Sequence, residues 1–256
     1  GGAITSGVNN SFFGYQSGYS NTTGGGNSFI GYRAGYNSTT GSRNTFLGYN
    51  AGCYNTGDYN TFLGYNAGCL NTGDENIFVG YYAGYYNSTG SYNSFFGYSA
   101  GYHNTTGSRN TFMGYQAGYS NNTGVENTFL GYRAGYNNTT ANTNTFIGYY
   151  AGYLNTTGLS NTFVGQRAGY YNTGDCNTFL GKAAGYHNTS GQYNTFIGDT
   201  AGYIKTDGDR NTFLGYCAGY NSTGSNNVFL GHKAGYNETG SNKLYIDNSN
   251  TSSPLI

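Results

Sequence analysis

One apolar pair, a Phe followed by a second large apolar residue, recurs along the chain at a nearly fixed distance, framed each time by small and polar residues. Aligned on Asn-Thr-Phe-Leu-Gly-Tyr-x-Ala-Gly-Tyr, the pattern occurs fourteen times, with Phe at 12, 29, 46, 62, 78, 95, 112, 129, 146, 163, 179, 196, 213 and 229. The steps are 16 or 17 residues. An Asn stands two places before every one of these Phe, from Asn10 to Asn227, and a Gly two places after, from Gly14 to Gly231. Neighbours such as Phe46 and Leu47 point to opposite faces of an extended strand. The period is too short for helical repeats or propeller blades, and the Gly, Asn and Thr content disfavours helix. At about 3.3 Å per residue, one repeat makes a flattened circuit of roughly 50 Å, stacked about 4.8 Å from the next.

The pattern therefore predicts an all-β fold: a parallel β-solenoid of the β-roll type, about 15 coils of 16–17 residues, each with two short strands. Residues 1–9 read as a lead-in, 10–241 as the repeat domain and 242–256 as a capping segment marked by the altered phrase from Asn242 and by Pro254. The lead-in carries no clear cap, so end-to-end contact or a preceding domain is expected at that end. The Phe row fills the lumen. The second row (Phe13, Ile30, Leu47, Leu63, Val79, Phe96, Met113, Leu130 and onward) needs a further cover, and the simplest is another copy of the chain. Stacked Asn side chains are expected to hydrogen-bond along the ladder. Of the 31 Tyr, 22 fall into two columns, one after the strand Gly (Tyr15, Tyr32, Tyr49) and one after the Ala-Gly pair (Tyr19, Tyr36, Tyr85).

The repeated phrase resembles the head repeats of trimeric autotransporter adhesins, in which a short strand phrase ending in Gly is followed by small residues, one phrase per coil of a left-handed parallel β-roll. The closing Asn242-Lys243-Leu244-Tyr245-Ile246-Asp247-Asn248 resembles the segment that ends such repeats in bacterial and phage proteins of tail-fibre type. Both resemblances imply a homotrimeric extracellular fibre or adhesin.

Charge narrows the partners. Ten basic and ten acidic residues cancel, and only 8% of the chain is charged, which removes the basic stripe of a nucleic-acid binder and the basic face of a peripheral membrane protein. No apolar run of about 18 residues predicts a membrane span, and no leader is recognisable. His103, His187 and His232 lie in coils far apart, and Asp58, Asp74, Asp175 and the Asp207-Gly208-Asp209 sequence read as turn residues. No catalytic, metal or cofactor constellation is recognisable, so an enzyme is not expected.

Three local features stand out. The first Tyr column breaks at Gln166, Lys182 and Asp199 and again at His232, which reads either as a polar patch suited to a sugar or as a Lys182–Asp199 ion pair between coils. Cys53 and Cys69 replace Tyr in adjacent coils of the second column, near enough for a disulfide or simply two buried thiols; Cys176 and Cys217 fall in other columns. Asn-x-Ser/Thr occurs repeatedly in the turns, for example at Asn21, Asn37, Asn87, Asn104, Asn121, Asn137, Asn155, Asn188, Asn221 and Asn237, which are either glycan acceptors or good turn formers.

The leading expectation is a structural fibre, filament or adhesin segment, outside the cell, on its surface or on a phage-type appendage. Its first partner is itself, as homotrimer and end-to-end polymer, and its second a surface carbohydrate. The alternative is a carbohydrate-binding module that uses the Tyr columns. An ice-binding role for the Thr row (Thr45, Thr61, Thr111, Thr128, Thr145) fits less well, because that row is one residue wide and interrupted by Ser11, Ser28, Ile77, Ser94 and Val228.

Overall fold

A computed structural model describes residues 5–204 and 207–249. The outer parts of the lead-in (1–4) and of the capping segment (250–256, with Pro254) lie outside the described residues. The chain divides into two compact units, Gly1–Asn127 and Thr128–Ile256. The first carries β1 (Ser11–Phe13), β2 (Ser28–Ile30), β3 (Thr45–Leu47), β4 (Thr61–Leu63), β5 (Ile77–Val79), β6 (Ser94–Phe96) and β7 (Thr111–Met113). The second carries β8 (Thr128–Leu130), β9 (Thr145–Ile147), β10 (Thr162–Val164), β11 (Thr178–Leu180), β12 (Thr195–Ile197), β13 (Thr212–Leu214), β14 (Val228–Leu230) and β15 (Leu244–Ile246). Within each unit successive strands pair in parallel with Phe opposite Phe, for example Phe46 with Phe62 and Phe163 with Phe179. The chain is thus an all-β parallel solenoid, one three-residue strand to a coil.

Among the described residues the second strand expected in each coil is absent, and backbone conformation explains why. After β3, Gly48 (φ 142°), Asn50 (φ 52°) and Gly52 (φ 57°) leave the extended region, and Tyr59 (φ 58°) does so again before the next strand. A chain that turns left-handed at every other residue cannot stay extended, so Tyr-x-Ala-Gly-Tyr becomes a run of turns. The turns still bond coil to coil: Gly35 N–H donates to the Ala51 carbonyl and Gly52 N–H to that of Ala67, each at 2.9 Å. Close packing enforces the glycines. A Cβ on Gly48 would lie 2.3 Å from the Gly64 carbonyl oxygen, and one on Gly52 2.4 Å from the Phe46 ring.

The lumen holds the Phe stack. From Phe29 to Phe112 and from Phe129 to Phe229 each of these rings is wholly buried, with neighbours near 4.8 Å and almost parallel, as between Phe62 and Phe78. In the last coil Tyr245 takes the Phe place, tilted 29° on Phe229, and its hydroxyl donates to Glu238. That segment therefore continues the ladder as a closing coil. The residues flanking each Phe point outward, so the second apolar row is bare in the single chain: Leu47 is 45% exposed and Leu180 46%.

Two buried Asn columns bind the coils. In the first, two residues before Phe, the amide mainly serves backbone: Asn44 Oδ1 accepts the Asn60 N–H at 2.7 Å while its Nδ2 donates to the Gly57 carbonyl at 2.9 Å, and amide meets amide along the column where Asn211 Nδ2 donates to Asn194 Oδ1 at 2.9 Å. In the second, amide does meet amide, as Asn71 Nδ2 donates to Asn55 Oδ1 at 2.7 Å and to its own coil's Gly73 carbonyl at 2.6 Å. The 16- and 17-residue coils differ between this Asn and that Gly. Asn104 reaches Gly107 three residues on as Asn71 reaches Gly73 two on, so the extra residue leaves the ladder intact.

Ser38 interrupts the second column, and Asn21 Oδ1 and Ser38 Oγ are both buried without a partner. Ser38→Asn would supply the missing donor, and a paired buried amide should raise stability by about 1 kcal/mol, seen as a higher melting temperature. Deleting one whole coil, Asn60 to Glu75, joins Tyr59 to Asn76 and keeps every column in register. That variant should melt cooperatively and only modestly below the parent, whereas deletion of Asn60 to Ala67 should abolish the cooperative transition by circular dichroism.

Candidate functional site

The two Tyr columns run beside each other with a groove between them. Rings in each column stack face to face, Tyr49 on Tyr65 at 5.0 Å and Tyr186 on Tyr203 at 5.1 Å, so their faces are largely covered by one another. The residue at x in Gly-Tyr-x-Ala-Gly-Tyr, held left-handed, sends its side chain into the groove. Arg33 lies over Tyr32 and Tyr36 at 5.5 and 5.0 Å, and Tyr82 packs edge-on against Tyr81 and Tyr85 at 4.5 and 5.1 Å.

The groove opens where the first column breaks. A cleft of about 270 Å³ is lined by Gln166, Arg167, Lys182, Ala183, Tyr186, Thr200, Tyr203 and Tyr220. The structure thus brings Gln166 and Lys182 of the predicted patch together, with a second cation beside them. Asp199 and His232 do not line the cleft; His232 instead stacks on Tyr216 at 5.4 Å. No ion pair joins Lys182 to Asp199. Burial, then the neighbouring phenols, push the Tyr186 hydroxyl above its ordinary value, while the Arg167 charge acts the other way, which places Arg167 near that ring. Ala183, Thr200 and Arg167 belong to the x column and not to the two Tyr columns whose break marks the patch in the sequence. The signal was there: small residues, Ala183, Thr200 and Cys217, stand in three consecutive coils where Arg, Tyr, Gln or Asn stand in many others.

The remaining candidates resolve into the scaffold. Cys53 and Cys69 are buried free thiols, not a disulfide. They hydrogen-bond to each other, which lowers the pKa of Cys53 and, with burial, raises that of Cys69. Of the ten candidate acceptors named above, six (Asn21, Asn87, Asn104, Asn121, Asn155 and Asn188) are wholly buried in the second amide column. A glycan on any of them is incompatible with this packing. Asn37, Asn137 and Asn221 are half-buried and Asn237 is exposed. The turn acids serve neighbouring coils, as Asp58 Oδ1 accepts the Ser42 N–H at 2.7 Å and Asp175 Oδ1 that of Leu159 at 2.8 Å. Among the described residues, no three metal-ligating side chains cluster. No family model, curated protein or solved structure matches the chain.

His103 and His187 stack on Tyr86 and Tyr171 at 5.5 and 4.9 Å, and burial holds both imidazoles below their ordinary 6.5. The unfolded chain therefore takes up these protons more readily than the folded one. Their contribution is intact above the ordinary value and is lost as pH falls through it toward the folded values. Melting temperature should drop between about pH 7.5 and about pH 5.5, and the double change His103→Tyr and His187→Tyr should flatten that drop.

Proposed function

We propose that the chain is a structural segment of an extracellular fibre or adhesin that assembles with copies of itself, as a homotrimer, through its outward strand face. The observation that carries this reading is the bare aliphatic row. In the first unit Ile30, Leu47, Leu63 and Met113 are 41–45% exposed, and in the second Leu130, Leu180, Leu214 and Leu230 are 40–46% exposed. Apolar side chains lined up along a parallel ladder form a contiguous patch of the kind that marks an association surface. In-register parallel strands place a large apolar side chain at every rung, so one copy offers another a surface that repeats with the same spacing. The likeness of the phrase to autotransporter heads supports closure with three copies, each turning the same face toward a common axis.

Carbohydrate binding through the Tyr columns is supported less well. A sugar stacks on an aromatic face, and within the columns those faces are covered by the neighbouring rings.

Light scattering of the intact chain should give close to three times 27.3 kDa or a larger polymer. A stable monomer at micromolar concentration would overturn the reading. Leu47→Asp combined with Leu63→Asp should weaken assembly, while Arg43→Asp, on a turn, should leave the mass unchanged.

A further inference from the structure

The groove between the Tyr columns is a row of slots, one per coil, each filled by the side chain at x. In two coils an aromatic ring fills it. Tyr82 meets Tyr81, Tyr85 and Tyr102 at 4.5, 5.1 and 5.8 Å with interplanar angles of 70–80°. Tyr150 meets Tyr149 and Tyr153 at 4.5 and 4.9 Å with angles of 87° and 77°. Ala183 and Thr200 occupy the same place in two consecutive coils with the same backbone, φ 52° and 55° against 55° and 57° for Tyr82 and Tyr150. Their side chains are too short to fill a slot. The register gives the walls of the Ala183 slot directly. Tyr186 and Tyr203 stand where Tyr85 and Tyr102 flank Tyr82, and Lys182 and Gln166 stand in place of Tyr81 and Tyr65. All four line the observed cleft.

We infer that this cleft binds a small aromatic carboxylate, its ring in the slot that Tyr82 and Tyr150 fill elsewhere and its carboxylate held by Lys182 and Arg167. The walls select the ring. Tyr186 and Tyr203 stack on each other 7° from parallel, so they offer the cleft their ring edges, whose positive rim complements an aromatic face. A saturated sugar ring would need the covered faces. Two features select the anion: Lys182 and Arg167 are both exposed at the cleft and neither pairs with a carboxylate, and no acidic side chain lines it. The volume of about 270 Å³ lies below the usual range for drug-sized ligands, about 300–1,000 Å³, which suits a single ring.

The test titrates the full chain with para-hydroxybenzoate by calorimetry and saturation-transfer NMR, beside cyclohexanecarboxylate (charge without an aromatic ring), phenol (ring without charge) and glucuronate (a carboxylated sugar). The aromatic acid should bind roughly tenfold more tightly than each of the other three, and Lys182→Gln or Arg167→Gln should weaken it roughly tenfold. Ala183→Tyr fills the slot as Tyr82 does, so it should melt like the parent and lose binding. Should that variant fail to fold, Lys182→Tyr, which restores the first column, should lose binding in its stead. No binding at about 10 mM, equal binding of cyclohexanecarboxylate, tighter binding of glucuronate, or full binding by folded Ala183→Tyr would each overturn the assignment.

Discussion

Everything in each unit depends on the hydrogen bonding of buried Asn side chains to the coil above and below. A solenoid coil here has only three strand residues with which to hold its neighbour, and the rest is turn. Turns leave backbone donors and acceptors inside the structure, where an unpaired one costs about 1–3 kcal/mol. The Asn at 44 answers this by accepting from the backbone of the next coil and donating to its Gly57 carbonyl, which does for the interior of the turn what a second strand would have done. The Phe stack supplies apolar burial, but stacked rings tolerate sliding. The amides do not, because each has one geometry in which both its oxygen and its nitrogen are satisfied, so they set the register that the rings then follow.

That constraint explains which parts of the fold were legible. The period, the inward Phe row and the stacked Tyr columns follow from spacing alone, because side chains at the same phase of a repeat must land in the same column. The missing second strand was not legible. Residues such as Arg33, Tyr82 and Thr200 carry no mark of left-handed backbone in their identity, and Tyr and Thr are strand formers by propensity. Coil-to-coil bonding overrides that preference in every repeat. The Asn-x-Ser/Thr sites misled for a related reason. At Asn87 and Asn104 the sequon is a by-product of a buried amide followed by turn residues, and only burial separates it from a surface acceptor such as Asn237.

The column break was visible as a loss of Tyr, yet its meaning lay one residue further on. Lys182 and Asp199 look like an ion pair on paper because they are neighbours in one column. In the structure they stay apart, and Lys182 turns a cationic edge to a cleft whose floor is Ala183. What matters is the conjunction: a polar residue in the first column opens the groove only where the side chain at x is also small. Lys233 shows the complement, since it follows His232 at another break and is a long residue at x.

In a chain built from one repeated phrase, specificity has few places to reside. Variation in the interior columns has a cost, as Ser38 shows by leaving two buried atoms unpaired where it replaces Asn. The outward strand face is repetitive and therefore suits a partner that repeats with the same spacing, which another copy of the chain does by construction. A small ligand needs the opposite, a place unlike its neighbours. The x column meets that need because its side chains hang from a fixed left-handed backbone and touch the ladders only through the groove. Exchange there alters the surface without shifting a rung. The same architecture thus keeps two kinds of surface physically apart: a repeating apolar row on the strand face, and single departures from the repeat in the x column.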